Sequence, residues 1–356
     1  MSNLTNIRNW WKDIDKINFV LISILLIIGI ILSFSLNKSF VIFNKHLIFS
    51  LFSFLIMIYL SSLSHKTLRR ISIFFIFICI FMLFFILLLD YEIKGSKRWI
   101  KFSNFSLQPS EFIKPFYFIL SAWFIIQGIN GRKSYLFILF ISFIIMSGLI
   151  ILQPDFGMTF LIFLTFFCQL FIAGLSIYFV FFAILVLITL SFISYYFFDH
   201  VQKRVEAFLN PLADSYQIDL SLKAFNSGGL FGKGPGQGIL KERIPDANTD
   251  FIFAVAGEEL GFIFCSIIIL LILVIIIRFL LKLLLIKDPF IIIAVVGLTC
   301  CFGLQSLINI FSSLSIIPTK GMTLPFISYG GSSMISSSIL FGFLLSLIKN
   351  KNNYEK

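Results

Sequence analysis

Carboxylates are scarce in this chain, 17 in 356 residues, and four of them crowd one short stretch. Asp246 and Asp250 sit in "IPDANTDFIF" (244–253), and Glu258 and Glu259 follow inside a long apolar run. A carboxylate can take a proton from a hydroxyl or ligate a hard cation. Asp250 is the last polar residue before the run, so it meets water with no insertion cost. Glu258 lies eight residues deeper, about 12 Å along a helix rising ~1.5 Å per residue. A buried acid there costs about 2.5–3.5 kcal/mol on insertion scales. Acids at that depth bind partner helices or backbone more often than substrate, so Glu258 and Glu259 are expected to brace the span. Residue chemistry alone leaves the role of Asp250 open.

Other polar groups stand at similar boundaries. "GSKRWIKF" (95–102) packs Lys97, Arg98 and Lys101 around Trp99, either as a membrane-edge anchor or as a grip on phosphate. "LQPSEF" (107–112) and "LQPDFG" (152–157) each open a span. Pro109 and Pro154 suit a first helical turn, and Glu111 and Asp155 favour its positive end. Glu111 and Lys114 are one turn apart and can pair, with either a structural or a substrate-facing role. "NSGGLFGKGPGQG" (226–238) fails as a Walker loop, because Ser227 and Gly234 stand where Gly and Ser or Thr are needed. It remains a turn whose amides could form an anion nest beside Lys233, or a plain surface turn. "IPTKGMTLPFISYGGSSM" (317–334) carries one cation, Lys320, ahead of small residues suited to close helix packing.

The elements that must hold these groups are apolar spans. Hydrophobic residues make up 59% and charged residues only 13%, about half the charge of a water-soluble domain. The fold class is therefore all-α: a polytopic membrane protein whose apolar runs suit bilayer-crossing helices. Ten spans are expected, at 17–36, 46–63, 72–89, 111–128, 135–152, 157–174, 177–198, 251–276, 289–312 and 325–348. They form a single integral-membrane domain over 1–356, with 199–250 as one larger loop within it. The first sixteen residues are largely polar and no small-residue cleavage site follows the first run, so no cleavable signal is expected.

The net charge of +11 sits in short loops, which favours lipid headgroups or phosphate-bearing substrates over nucleic acid. With both termini in the cytoplasm, basic residues divide fourteen inside to thirteen outside. Ten of the thirteen come from loops 90–110 and 199–250; set aside as functional, they leave fourteen to three and place the termini inside. The five cysteines lie in apolar runs without CxxC spacing, and His46, His65 and His200 are scattered, so no metal ligand set is expected.

Taken in order, "KRWI" with "QPSEFIK" (97–114), "QPDFG" (153–157), "NPLADSYQIDLSLKA" (210–224), "SGGLFGKGPGQG" (227–238), "IPDANTDFIFAVAGEELG" (244–261) and "PTKGMTLPFISYGGSS" (318–333) resemble the SEDS family of FtsW, RodA and SpoVE proteins. The resemblance covers nearly the whole chain, and the 318–333 segment is more similar to the FtsW branch. Asn248 stands where the family usually has His, and Phe225-Asn226 replaces a usual Ile-Gly.

The resemblance implies a SEDS fold and a peptidoglycan glycosyltransferase that polymerises lipid II on the outer face of the cytoplasmic membrane. Asp250 matches the family's catalytic aspartate. An α-linked donor and a β-1,4 product imply one inverting displacement, which needs one base and no covalent nucleophile. Lys97, Arg98, Glu111, Lys114, Asp155, Lys233 and Lys320 are the substrate-binding candidates toward lipid II and its pyrophosphate. No cofactor is certain, and a divalent cation, Mg or Mn, could bridge Asp250 and pyrophosphate. The implied partners are a cognate class B penicillin-binding protein and other division-site membrane proteins. The implied place is the bacterial inner membrane at the division septum. Rival readings are a lipid II flippase, a recruiting scaffold or a RodA-like elongation polymerase.

Overall fold

The computed structural model of the protein describes residues 9–36, 40–89, 98–102, 105–197, 201–202, 205–206, 208 and 216–349. Each of the ten apolar runs carries a helix: α1 (Lys16–Leu36), α2 (Phe40–Ser62), α3 (His65–Leu87), α4 (Pro109–Ile129), α5 (Lys133–Leu152), α6 (Phe156–Ile172), α7 (Ile177–Phe197), α9 (Ile252–Leu283), α10 (Pro289–Ser313) and α11 (Gly331–Leu347). In hydrocarbon no water can satisfy the backbone, so apolar runs of this length fold as helices. Among the described residues seven of them are long and apolar enough to cross a membrane, and α6 and α11 are shorter apolar helices. The chain is a multi-pass membrane protein.

Two elements depart from the expected outline. The connection 199–250 contains a helix, α8 (Tyr216–Gly228). It buries Ile218, Leu220 and Ala224 and lies along the start of α9. Gly228 allows the close approach, since a Cβ there would sit 2.0 Å from the Gly257 carbonyl oxygen. A short antiparallel hairpin, β1 (Ile100–Phe102) with β2 (Phe105–Leu107), precedes α4 and pairs Ile100 with Leu107.

The last span also begins later than its hydropathy suggests. Residues 325–330 are turn and coil, and α11 starts at Gly331. Phe326 and Ile327 are buried, so hydropathy records their burial correctly. The Ser328 Oγ that accepts from the Leu324 amide holds them in a turn instead of a helix.

The core lies around α4, α10 and α11, most of whose residues are buried, whereas α2 and α3 bury only a narrow face. The outer helices turn Phe, Ile and Leu toward lipid, as a bilayer solvent allows. Single polar side chains stitch the centre. Gln169 on α6 donates to the Phe118 oxygen of α4 at 2.9 Å and the Ile293 oxygen of α10 at 3.2 Å. At the end of the bundle away from Asp250, Asp15 pairs with Arg278 (3.3 Å) and Lys282 (3.1 Å) of α9.

α9 is broken. Gly261 has φ 78° and ψ −178°, a conformation essentially confined to glycine. The glycine-rich loop docks into the break: the Phe262 amide donates to the Gly229 oxygen, and the Lys233 and Gly234 amides donate to the Glu258 and Glu259 oxygens. Backbone groups orphaned by the break are thereby satisfied.

Candidate functional site

Asp250 ends a tight turn built on Asp246. Asp246 adopts a left-handed conformation, φ 57°, which a short polar side chain tolerates better than most. Its carbonyl oxygen accepts from the amides of Thr249 (3.0 Å), Asp250 (3.1 Å) and Phe251 (3.4 Å). Buried Ile244, Ala247 and Phe251 anchor the turn, and Asp250 itself is half-buried just ahead of α9.

Three successive carbonyls of this turn are taken by distant residues. Asn248 O accepts from the Tyr329 amide at 2.8 Å. Thr249 O accepts from Ser328 Oγ at 2.5 Å, and Asp250 O from Asn309 Nδ2 at 2.9 Å. Asn309 Nδ2 also donates to Met322 O at 2.6 Å. The 244–251 turn and the 322–329 segment are therefore clamped together over the end of α10. A side chain on so constrained a backbone is preorganised.

Lys320 precedes that clamp. Its backbone crosses the start of α6, where a Cβ on Gly157 would lie 3.3 Å from the Lys320 oxygen. Asp155 caps α6 by accepting from the Met158 amide at 3.2 Å. Arg98 pairs with Asp155 at 3.5 Å and donates to the carbonyls of Gln153 and Pro154. Gln108 reaches Asp155 at 3.4 Å, which joins the two QP motifs. The start of α6, with Asp155 and Arg98, is thus linked to the Asp250 turn through the Lys320 backbone at Gly157 and through Met322 and Asn309. Lys97 lies outside the described residues.

Glu111 and Lys114 are placed deeper. They pair at 2.7 Å with their side chains 6% and 2% exposed, and Lys114 also donates to Gln305 Oε1 at 2.6 Å. Gln305 in turn donates to the Thr323 oxygen at 3.1 Å. The pair is an internal strut beneath the 322–329 segment, engaged on all sides with protein.

Lys233 stands on the other flank, 3.4 Å from Glu258. Of the two readings of that loop, the structure favours a plain turn over an anion nest: the Lys233 and Gly234 amides donate to the Glu258 and Glu259 carbonyl oxygens and the Gly236 amide to Ser35 Oγ. Glu258 accepts from the amides of Ile239, Leu240 and Lys241 at 2.8–2.9 Å. Glu259 pairs with Lys241 at 2.5 Å and accepts from Ser35. A carboxylate with several N–H donors is well satisfied even when buried. The loop's hydrogen-bonding capacity is spent on α9 and α1 and leaves little for a ligand.

Sequence reasoning missed Asn309 and Gln305. A signal was present: two carboxamides four residues apart, within the run 289–312, share one helix face in a span that should be apolar.

Fold and site together define a class: polytopic helical membrane proteins with a carboxylate-bearing turn clamped at one end of the bundle. Comparison with known proteins narrows it. The family described as "Cell cycle protein", which groups FtsW, RodA and SpoVE, matches residues 15–353, and the chain belongs to that family. It is 37% identical to the probable peptidoglycan glycosyltransferase FtsW of Caulobacter vibrioides, over 96% of this chain and 91% of that protein. The corresponding protein of Geobacter sulfurreducens is 28% identical, over 94% and 96%. In fold the chain is similar to a solved structure described as "Structural coordination of polymerization and crosslinking by a peptidoglycan synthase complex", with a TM-score of 0.79 at 22% identity, over 96% of this chain and 99% of the other. The rod shape determining protein RodA of Thermus thermophilus gives 0.73 at 21% identity, over 96% and 98%.

Proposed function

We propose that this chain polymerises lipid II at the division septum, with Asp250 as general base. The clamp on the three carbonyls of Asn248, Thr249 and Asp250 carries the reading. It fixes a half-buried carboxylate at the head of a bilayer-depth helix, where a lipid-anchored hydroxyl arrives. The chain is a peptidoglycan glycosyltransferase by family and by the activity its curated relatives are named for.

Asp250 takes the proton from the 4-hydroxyl of the lipid II N-acetylglucosamine. That oxygen bonds to C1 of the growing chain's terminal sugar with inversion. The C1–oxygen bond to undecaprenyl pyrophosphate breaks, and its electron pair leaves on the phosphate. Lys320 and Arg98, with Lys97 beside Arg98 in sequence, meet that charge. Among the described residues no three His, Cys, Asp or Glu side chains converge as metal ligands. A Mg or Mn ion would therefore take most of its ligands from pyrophosphate and water, as Mg commonly does.

A class B penicillin-binding protein is the partner this reading assigns, since a polymerised strand must be crosslinked. Division rather than elongation is the role this reading assigns, supported by the 37% identity to the Caulobacter FtsW over 96% of this chain. The rival transport reading draws on intramembrane charges lining a path. Glu111 and Lys114 are instead engaged with each other and Gln305. Purified protein incubated with lipid II, with and without its partner, tests the proposal; polymer in neither case refutes it.

Two further results are expected. Lys320→Ala and Arg98→Ala should each lower lipid II use by roughly tenfold to a hundredfold, the worth of about 1.5–3 kcal/mol from a charge-assisted hydrogen bond. Initial rates across lipid II concentrations check this, and wild-type rates for both would reduce them to interfacial anchors. The reading also places both termini in the cytoplasm of a bacterial inner membrane and the 199–250 connection outside. Gln237, exposed in the glycine-rich loop, substituted by Cys should react with an impermeant maleimide on intact spheroplasts. Labelling only after permeabilisation would reverse the topology and remove Asp250 from the lipid II face.

A further inference from the structure

His46 on α2 is fully buried, and neither ring nitrogen has a hydrogen-bond partner. Its ring lies against Tyr329, with centroids 5.8 Å apart and planes inclined by 46°. The Tyr329 amide donates to Asn248 O, the first of the three clamped carbonyls. The Asn248 side-chain Oδ1 is likewise buried without a partner. Unpaired buried polar atoms are destabilising, each by about 1–3 kcal/mol. Three of them around one tyrosine need a reason. Buried water is the usual partner for such groups.

The surroundings favour a positioning role. His46 O accepts from Ser50 Oγ, and Ser50 Oγ in turn lies 3.9 Å from Met334 Sδ on α11. Gly331, at the head of α11, is packed so closely that a Cβ would lie 2.9 Å from the Phe49 ring. The α2 segment carrying His46 is therefore fixed against the start of α11, directly after Tyr329. Burial raises the Tyr329 phenol above its usual value, so the ring facing His46 is neutral. Position 248 is where the SEDS resemblance leads one to expect His, and Asn stands there. His46 and the Asn248 carbonyl oxygen both meet the same residue, Tyr329.

We propose that His46 is a positioning residue for the glycosyl transfer: it holds Tyr329, and through the Tyr329 amide the Asn248–Asp250 turn, in the register that aims the Asp250 carboxylate. This rests on the base assignment above. A displacement of even about 1 Å at a reacting group can cost on the order of a hundredfold in rate, so a residue that touches no substrate can still govern turnover.

The test is lipid II polymerisation by the purified protein with its partner, measured as kcat and KM beside the melting temperature. His46→Ala should lower kcat by about tenfold to a hundredfold with KM within twofold and an unchanged melt. Asn248→His added to His46→Ala should restore most of the loss by returning an imidazole from the turn side. His46→Gln, which keeps most of the side-chain bulk but not the flat ring against Tyr329, should fall between. Wild-type kcat in His46→Ala overturns the proposal. So does a loss in both His46 variants that tracks the melting temperature and is not restored by Asn248→His. Asp250→Asn in the same assay separates the two readings: if it stays active, the base assignment fails, and if it alone is inactive, only the His46 proposal fails.

Discussion

Asp250→Asn should express, fold and bind its partner as the unsubstituted protein does, and polymerise lipid II about a hundredfold to ten-thousandfold more slowly. The carboxamide keeps the size of the carboxylate. The backbone bonds that hold the turn use the Asp250 carbonyl and amide, to Asn309 and Asp246, and these survive the change. What is lost is the basicity that takes the 4-hydroxyl proton, and general-base catalysis is worth that range of rate. Product length and initial rate on gels of labelled glycan give the measurement. A near-normal rate would return Asp250 to a role in shaping the turn.

Gly261→Ala should have the largest effect on folding. A Cβ at Gly261 would fall 2.3 Å from the Gly232 nitrogen and 2.5 Å from the Leu230 oxygen. Both are backbone atoms of the docked loop and cannot rotate aside. Adopting φ 78°, ψ −178° costs an L-residue about 1–3 kcal/mol, and overpacking adds a similar amount. The sum approaches the whole stability of many domains. Size-exclusion traces in detergent should show little monodisperse protein, and thermal melts of what remains should shift down by many degrees. A melt matching the unsubstituted protein would mean the loop does not sit in the break.

The spans were legible because a bilayer asks for one simple thing, a sustained apolar run, and every run became a helix. Edges failed where burial and helicity part company, as at Phe326 and Ile327, which are buried in a turn. Glu258 and Glu259 were correctly expected to brace α9, since an acid below the boundary needs donors. Which donors they meet was hidden. The sequence "GKGPGQG" advertises flexible, available amides, and only the break at Gly261 turns them inward. Asp250 was singled out by its position and by resemblance. Its clamp was not legible, because Asn309, Ser328 and Tyr329 reach it across long stretches of chain through backbone carbonyls, and a carbonyl has no signature in a sequence. His46 looked like a stray histidine for the same reason: Tyr329 beside it is a tertiary neighbour.

Asn309 holds Asp250 O and Met322 O with a single side-chain nitrogen. One amide group thus answers to two masters, and neither segment can be redesigned alone. A substitution that shifts either carbonyl alters what the nitrogen can offer the other, so changes in the two motifs should be strongly non-additive. Over generations such a joint imposes shared inheritance: the turn and the segment after Lys320 are free to drift only as a pair, and a chimaera taking one of them from a distant relative would need the other, and the residue at 309, to come with it.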